Sequence, residues 1–344
     1  MKKIITKIIV LCMFLTYTIF AKQKEVVLLN GAGASFPYPL YSKWFYEYAK
    51  IDKTVNFNYQ SIGSGGGIRQ ILAQTVDFGA SDGCMSDEQL KQAPGKILHI
   101  PMTAGAVVLI YNIPELKGKQ LLKLTSEIIS KIYLGKIKKW NDKLIQAENP
   151  DLSLPNKSIV VVRRSDGSGT TFIFTDYLCE VSAEWREKVG KGTAVNWPVG
   201  LGGKGNEGVA GIVKNTPYSI GYVEISYAIQ NNLDYAIVKN KDGYYVKPTV
   251  ESITAAIENK TKNMPDDYRV SIVNAGGKNS YPIVGFTWLL VYQKQQDKVR
   301  GEKLVQFLKW ALTEGQKYCA ELIYAPLPKN LVNKILKTID TIEY

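Results

Sequence analysis

The chain has 344 residues, of which 45% are hydrophobic and 22% are charged. This length suits one large domain or two domains, and the composition excludes an intrinsically disordered chain. The formal net charge is +12 at pH 7, but the lysines are scattered and the aromatic residues do not alternate with basic ones, so the sequence does not predict a nucleic-acid-binding surface.

The N-terminus has the three parts of a secretory signal peptide. Three lysines precede an apolar run over residues 8–20, and the small residue Ala21 follows this run. The run is shorter than the roughly 20 residues that a membrane-spanning helix needs. We therefore predict a signal peptide over residues 1–21 and export of the chain. Export permits disulfides, but the remaining cysteines allow at most one: Cys84, Cys179 and Cys319.

Strands, glycine-containing loops and helices alternate in the first part of the mature chain. A strand in EVVLLNGAGASF precedes a helix in YPLYSKWFYEYAK, and a strand in TVNFNYQSI precedes the loop GSGGG and the short helix IRQILAQT. The segment DFGAS adds a further brief strand. This order predicts a mixed α/β sheet whose loops gather at the carboxyl ends of the strands.

The alternation continues in the rest of the chain. The apolar segment ILHIPMTAGAVVLIYNI, interrupted by Pro101 and Gly105, predicts either two strands or a crossing between domains. A helix in TSEIISKIYLGKIKKWND has Thr125 or Ser126 as its N-cap and Gly135 near its end. A glycine-rich loop in VGLGGKGNEGVAGIVKN precedes another helix, and GEKLVQFLKWALTEGQKYCAEL predicts an amphipathic helix.

The segment RRSDGSGTTF has the features of an oxyanion-binding loop. It follows the apolar strand SIVVV and begins a helix, whose N-terminus carries free N–H groups and a partial positive charge. Its glycines permit close approach of a ligand, its hydroxyl groups can donate hydrogen bonds, and Arg163 or Arg164 adds a permanent charge. An ordinary capped helix is the alternative, but Ser35 and Ser64 occupy similar glycine loops before two other helices.

Asp82 ends the strand in DFGASDGC, beside these predicted anion-binding loops. A carboxylate repels a bare anion, but it can accept a hydrogen bond from an oxyanion that carries a proton, whereas sulfate offers no such donor. A turn or N-cap aspartate is the alternative interpretation. The only histidine in the sequence is His99, so a two-histidine metal site is excluded, and we expect no catalytic residue, metal or cofactor.

Taken in order, the motifs GAGASFP, GSGGG, DFGASD, IYLGKIKKW, VVRRSDGSGT, WPVGLGGKGNEG and GYVE closely resemble those of the periplasmic phosphate-binding proteins of bacterial phosphate ABC transporters. The resemblance covers nearly all of the mature chain. It implies the α/β, two-lobed Venus flytrap fold of type II periplasmic binding proteins, in which each lobe is a mixed β-sheet flanked by helices. Lobe I would comprise residues 26–100 and 280–344, lobe II residues 101–279, and phosphate would lie in the cleft between them.

The resemblance also implies roles for individual residues. Asp82 would accept the phosphate proton, Arg164 would supply the charge, and Asp166 would orient Arg164 from behind. Cys84, two residues after Asp82, departs from the small residues usual there. The ligand-binding residues would be Ala34, Ser35, Phe36, Ser64, Asp82, Arg164, Ser168, Gly169 and Thr170.

The implied function is high-specificity binding of inorganic phosphate in the periplasm and its delivery to the inner-membrane permease of the transporter, by a monomer that is not an enzyme. One alternative is a secreted phosphate-ester hydrolase with Ser168 or Ser64 as nucleophile, although the sequence offers no evident base or metal cluster for it. Another is a surface adhesin or nucleic-acid-binding protein that uses the basic charge.

Overall fold

The computed structural model describes residues 26–118 and 121–344, and the predicted signal peptide lies outside them. Strands and helices alternate along this part of the chain, as the sequence predicts. The strands are β1 (Val27–Gly33), β2 (Val55–Ser61), β3 (Phe78–Ser81), β4 (Ile97–Asn112), β5 (Lys123–Leu124), β6 (Val160–Arg164), β7 (Leu201–Gly203), β8 (Ser219–Glu224), β9 (Asp234–Tyr235), β10 (Ile237–Lys239), β11 (Tyr245–Val246) and β12 (Val284–Tyr292).

The α-helices differ widely in length, from single turns to four turns. They are α1 (Tyr38–Ile51), α2 (Ser64–Leu72), α3 (Asp87–Lys91), α4 (Ser126–Tyr133), α5 (Lys143–Glu148), α6 (Gly169–Val181), α7 (Ala183–Lys188), α8 (Gly205–Asn215), α9 (Ile225–Gln230), α10 (Val250–Lys260), α11 (Lys298–Leu312) and α12 (Lys329–Ile339). Short 3₁₀ helices cover Pro114–Leu116, Glu314–Tyr318 and Ala320–Leu322.

Most strands join one mixed sheet in the order β2-β1-β3-β12-β4-β8-β6-β7, with β9 beside β4. Strand β1 is parallel to β2 and β3, and β6 is parallel to β7 and β8. Between these two parallel groups, β4 runs antiparallel to both β12 and β8. A separate small sheet has the order β11-β10-β5. The loops at the carboxyl ends of the two parallel groups carry the predicted ligand residues.

Strand β4 is continuous over 16 residues, where the sequence left open two strands or a crossing. Its residues 97–106 pair with β12, and its residues 107–112 pair with β8. Pro101 is accommodated because the register shifts between Thr287 and Trp288 on β12, and such an irregularity tolerates the missing N–H of proline. One strand therefore belongs to both halves of the sheet.

Local sequence signals set the ends of the helices. Thr125 caps α4, since its hydroxyl accepts a hydrogen bond from Ile128 N at 3.3 Å. Just beyond α4, Gly135 adopts a φ of +72°, which favours glycine at the end of a helix. The predicted C-terminal amphipathic helix ends at Leu312, and 3₁₀ turns continue the segment. The N-cap at Thr125 and the helix end near Gly135, both predicted from the sequence, are confirmed.

The sheet is covered by helices on both faces. Every residue of β12 and all but the last of β4 are buried, which is typical of a strand with no solvated face. Phe57 of β2 packs between Phe45 of α1 and Phe307 of α11, at ring-centroid distances of 4.4 and 4.7 Å. The predicted α/β fold class is confirmed, and the lobe boundaries stay a prediction.

Candidate anion-binding site

The residues predicted to contact the ligand lie at the ends of β1, β2, β3 and β6. Ser64 begins α2, Asp82 directly follows β3, and Ser168 is the N-cap of α6. The fold thus brings together segments that are far apart in the sequence. All of the predicted ligand residues are buried: Ala34, Ser35, Phe36, Ser64, Asp82, Arg164, Ser168, Gly169 and Thr170.

The loop after β6 packs directly against the loops after β2 and β3. Gly65 N donates a 2.9 Å hydrogen bond to Gly167 O. A Cβ atom built on Gly169 would lie 2.5 Å from Oδ2 of Asp82 and closer still to Oγ of Ser64. Only glycine fits at residue 169, and the N-terminus of α6 therefore contacts both Ser64 and Asp82.

Tyrosine hydroxyls fix the loop that carries Ser35. Among the described residues, the N–H groups of Ser35 and Phe36 have no protein acceptor, so they remain free for a ligand. The carbonyl groups of the loop, in contrast, are all engaged. The donor and acceptor pairs are Tyr59 to Ala34 O (2.7 Å), Tyr227 to Ser35 O (2.5 Å) and Tyr324 to Phe36 O (2.6 Å).

The carboxyl group of Asp82 is buried, with 1% of the residue exposed. Burial raises the pKa of Asp82 to about 7, although hydrogen bonds from Thr287 and Ser64 and the charge of Arg164 act in the opposite direction. The Thr287 hydroxyl donates to Oδ1 at 2.8 Å, and the Ser64 hydroxyl lies 3.4 Å from Oδ2. Because the second contact is long, Oδ2 is the oxygen best placed to accept a hydrogen bond from a protonated oxygen of a ligand.

Arg164 and Asp166 form a bidentate ion pair. Nε of Arg164 donates to Oδ1 at 2.8 Å, and Nη2 donates to Oδ2 at 2.6 Å. Burial alone would raise the pKa of Asp166, but the hydrogen bonds and charge of Arg164 outweigh burial and lower it. Gly205 N also donates to Asp166 at 3.1 Å. Arg164 thus gives the site a positive group, and Asp166 largely neutralises its charge, as the resemblance implies.

Ser168 acts as the cap of α6. Its Oγ accepts a hydrogen bond from Thr171 N at 3.0 Å, and its own N–H donates to Thr193 O at 2.8 Å. The hydroxyl of Thr171 in turn contacts the Tyr222 hydroxyl at 2.6 Å. This arrangement anchors the first turn of α6, whose N–H groups have no acceptor within the helix.

Asn206 belongs to the site although the sequence interpretation missed it. It is fully buried at the second residue of α8 and forms hydrogen bonds with Ser35, Thr170 and Glu224. The available signal was the loop GLGGKGNEG, interpreted from the sequence only as a glycine-rich loop before a helix. A polar amide at the start of a helix, after a glycine loop, was the feature to follow.

Two further buried polar residues were missed. Thr287 lies in the otherwise apolar strand β12 and bonds Asp82. Glu224 ends β8, where burial raises its pKa to about 8 against hydrogen bonds from Ser226 and Tyr324. Oε1 of Glu224 has no partner among the described residues. A polar residue in a buried strand was the signal for both.

Cys84 lines a cavity of about 200 Å³ next to the site, together with Asp82 and Phe172. Burial raises the pKa of the Cys84 thiol to about 12, so it stays protonated at neutral pH. The cysteines of the described residues are free thiols. The departure at residue 84 therefore adds a small, protonated thiol beside Asp82.

No group of three or more His, Cys, Asp or Glu residues within 26–118 and 121–344 is arranged to hold a metal ion. The same ranges contain no helix that combines the length and apolar character needed to cross a membrane. The donors around the buried carboxyl group of Asp82 instead form, together with it, a site that suits a small oxyanion carrying a proton.

The fold and this buried site together define a solute-binding protein of the α/β class. A family model described as the PBP superfamily domain matches residues 21–314. The phosphate-binding protein PstS of Xylella fastidiosa (strain 9a5c) is 46% identical over 92% of this chain and 85% of its own length. The corresponding protein of Pasteurella multocida is 46% identical over 93% of this chain and 92% of its own length.

Solved structures agree on the fold. A periplasmic phosphate-binding protein named PfluDING, bound with phosphate, has a TM-score of 0.70 at 18% identity, covering 92% of this chain and 99% of the other. The phosphate-binding protein of Stenotrophomonas maltophilia has a TM-score of 0.67 at 19% identity, covering 91% and 94%. The chain belongs to the PBP superfamily and, within it, to the family of the PstS relatives, which confirms the resemblance inferred from the sequence.

Proposed function

We propose that this protein binds inorganic phosphate and delivers it to the membrane permease of a phosphate ABC importer. It is a binding protein and not an enzyme. The names of its relatives support this function, and one observation carries it: the buried carboxyl group of Asp82, with a pKa raised to about 7, lies among hydrogen-bond donors. A proton-bearing oxyanion satisfies both the donors and this acceptor.

The chemistry of the site favours phosphate over sulfate. Ser35, Ser64, Thr170 and the N-terminus of α6 offer donors, and Arg164 offers charge, whereas Asp82 requires a donor from the ligand. Phosphate retains a proton near neutral pH and sulfate does not. Leaving a buried acceptor unpaired costs about 1–3 kcal/mol, and more when the acceptor is charged, so sulfate should bind much more weakly.

We also propose that residues 26–100 and 280–344 form one lobe, and residues 101–279 the other. The contacts that would cross the cleft support this division, because Gly169 lies against Asp82 and Asn206 bonds Ser35. Each lobe then supplies part of the hydrogen-bond shell. Phosphate would shift an equilibrium between open and closed forms by binding the closed form more tightly, and the permease would recognise that form.

The proposed setting is the periplasm, reached through removal of the signal peptide at residues 1–21. The word periplasmic in the name of PfluDING supports this location by analogy. We expect the mature protein to act as a monomer. We also expect it to bind no nucleic acid, because its basic residues are scattered along the chain rather than clustered.

The serine-hydrolase alternative finds no support. The Ser168 hydroxyl accepts the capping hydrogen bond of Thr171 N. His99 is buried and its Nε2 accepts a 3.1 Å hydrogen bond from Met85 N. Burial lowers the pKa of His99 to about 4, and its engaged nitrogen makes it a poor general base for either Ser168 or Ser64.

Calorimetric titration of the purified, phosphate-free protein tests the proposed function. Phosphate and arsenate should bind with one site per chain, because both are tetrahedral and protonated near neutral pH. Sulfate should give at least about 100-fold weaker binding, in line with an unpaired, partly charged acceptor. Failure of phosphate to bind, or equal binding of sulfate, would overturn the proposal.

A further inference from the structure

The Asn206 side chain is held in one orientation by its hydrogen bonds. Glu224 N can only donate, and it lies 3.0 Å from Oδ1 of Asn206. The oxygen of the amide must therefore face Glu224, and Nδ2 must face the opposite side. Nδ2 lies 2.9 Å from Oγ of Ser35 and 3.0 Å from Oγ1 of Thr170.

The two hydroxyl groups that Asn206 contacts both accept hydrogen bonds from protein donors. Ser35 Oγ accepts from Nδ2 and from the backbone N of Asn206, the latter at 3.1 Å. Thr170 Oγ1 accepts from Nδ2 of Asn206 and from Nη1 of Arg164 at 3.4 Å. A hydroxyl group has two acceptor positions and one proton. The Ser35 hydroxyl therefore has only its proton left to offer, and at Thr170, where the Arg164 contact is long, the proton is the part of the hydroxyl best placed to bind a ligand.

Neither proton has a protein acceptor within the described part of the chain. Because both residues are buried, these protons are available to a ligand that accepts hydrogen bonds. The Ser35 and Thr170 hydroxyls, which we call the donor end, then act as donors to unprotonated oxygens. The oxygen of the ligand that carries a proton is left to the Asp82 end.

We propose that Asn206 is a positioning residue that sets the donor end, and that it thereby fixes which oxygen of the bound oxyanion may carry the proton. This inference rests on the proposed function and deepens it. Asn206 itself need not touch the ligand, since it acts through the hydroxyls of Ser35 and Thr170. It also links a loop of proposed lobe I to two segments of proposed lobe II.

The substitution Asn206→Asp tests this role, because it keeps the shape but replaces the Nδ2 donor with an acceptor. The Ser35 and Thr170 protons should then turn towards the new carboxylate and away from the ligand. A hydrogen bond to a charged acceptor contributes roughly 10- to 100-fold in affinity, so phosphate affinity should fall by at least about 100-fold when two are lost. Binding within about threefold of the parent would overturn the inference.

A double-mutant comparison separates positioning from a general structural effect. In a Ser35→Ala/Thr170→Val background the hydroxyls are absent, so the loss caused by Asn206→Asp should shrink by at least about tenfold. An equal loss in both backgrounds would mean that Asn206 acts only through structure. If Asn206→Asp does not fold, Asn206→Ala serves in the same comparison, with a loss of about three- to tenfold in the parent and none in the background.

Asn240→Asp provides a matched control. Asn240 is also buried, and its Nδ2 donates to Gly277 O and Ser280 O at 3.1 and 3.2 Å. Its substitution should lower the melting temperature without changing phosphate affinity. The parent protein is titrated in parallel: a parent that does not bind phosphate overturns the proposed function and this inference with it, whereas a binding parent with an unaffected Asn206→Asp variant overturns only the inference.

Discussion

The hydroxyl of Thr287 donates a 2.8 Å hydrogen bond to Oδ1 of Asp82, which leaves Oδ2 towards Ser64 and Gly169. This contact joins the end of β3 to the middle of β12 and fixes the plane of the carboxyl group. One oxygen is therefore satisfied by the protein, and the other is held for the ligand.

Asp82→Asn should weaken discrimination between phosphate and sulfate. The amide oxygen can still accept from Thr287, whereas the amide NH₂ replaces the acceptor with a donor that sulfate can use. The ratio of phosphate to sulfate affinity should fall at least about tenfold, as expected from relieving an unpaired buried acceptor. Competition titrations measure this ratio. Asp77→Asn is the control, because the Asp77 carboxylate bonds Arg300 and the backbone N of Asn30. An unchanged ratio would remove Asp82 from its assigned role.

Gly169→Ala should impair phosphate binding more than it impairs folding. The added methyl group would overlap Asp82 and Ser64 across the site, and overpacking of this kind costs about 1–3 kcal/mol. Affinity should drop roughly 5- to 150-fold, because the two segments can separate instead of unfolding. Gly211→Ala in α8, where a Cβ meets no neighbour within 4 Å, should leave binding unchanged. Parent-like affinity of Gly169→Ala would show that the segments need not approach for binding.

Arg164→Ala should weaken phosphate binding strongly. The substitution removes the charge of the site and leaves the Asp166 carboxylate unpaired, and losing one partner of a buried charge pair costs about 2–5 kcal/mol. We expect at least a roughly 30-fold loss of affinity, measured by calorimetry. Arg163→Ala is the control, because within the described part of the chain the Arg163 side chain bonds only the backbone oxygen of Arg164. Equal effects of the two substitutions would contradict the assignment of the charge to Arg164.

The phosphate-free protein should lose stability as the pH rises from about 4 to about 7. Burial raises the pKa of Asp82 to about 7, whereas an aspartate in the unfolded chain titrates near 4. Between these values the folded state binds more protons than the unfolded state, so the free energy of unfolding falls as pH rises, by about 1.4 kcal/mol per unit of pKa difference.

Urea unfolding at several pH values measures this slope. Asp82→Asn should flatten it, and the slope that remains should come from Glu224, whose pKa is raised to about 8 by burial. Asp166 acts in the opposite direction and at lower pH, because its pKa is lowered. Its contribution to stability is lost only as the pH falls below the pKa of an ordinary aspartate. A slope that is the same in the parent and in Asp82→Asn would contradict the raised pKa of Asp82.

The sequence predicted those parts of the site that depend on local chemistry. Ser35, Ser64 and the RRSDGSGT segment each combine glycines, hydroxyls and the start of a helix, and Asp82 ends a short strand. These signals lie within a few residues of one another, and loops at strand ends are where the α/β fold gathers ligand groups. The predicted fold class followed from the same alternation of strand, loop and helix.

The parts that could not be predicted depend on pairing between distant segments. Thr287 reaches Asp82 only because β12 lies antiparallel to β3, and nothing near Thr287 in the sequence indicates that pairing. Asn206 contacts Ser35 across 171 positions of the chain. The continuity of β4 through Pro101 likewise depends on the register of its partner strand.

A crystal structure of the protein grown with orthophosphate tests the central claim most directly. The account predicts a phosphate ion held between Ser35 and Ser64 on one side and the N-terminus of α6 on the other, with one oxygen about 2.5–2.7 Å from Oδ2 of Asp82, the length of a charge-assisted O–H···O hydrogen bond. A phosphate bound elsewhere, or one with no oxygen within hydrogen-bonding distance of Asp82, would contradict it.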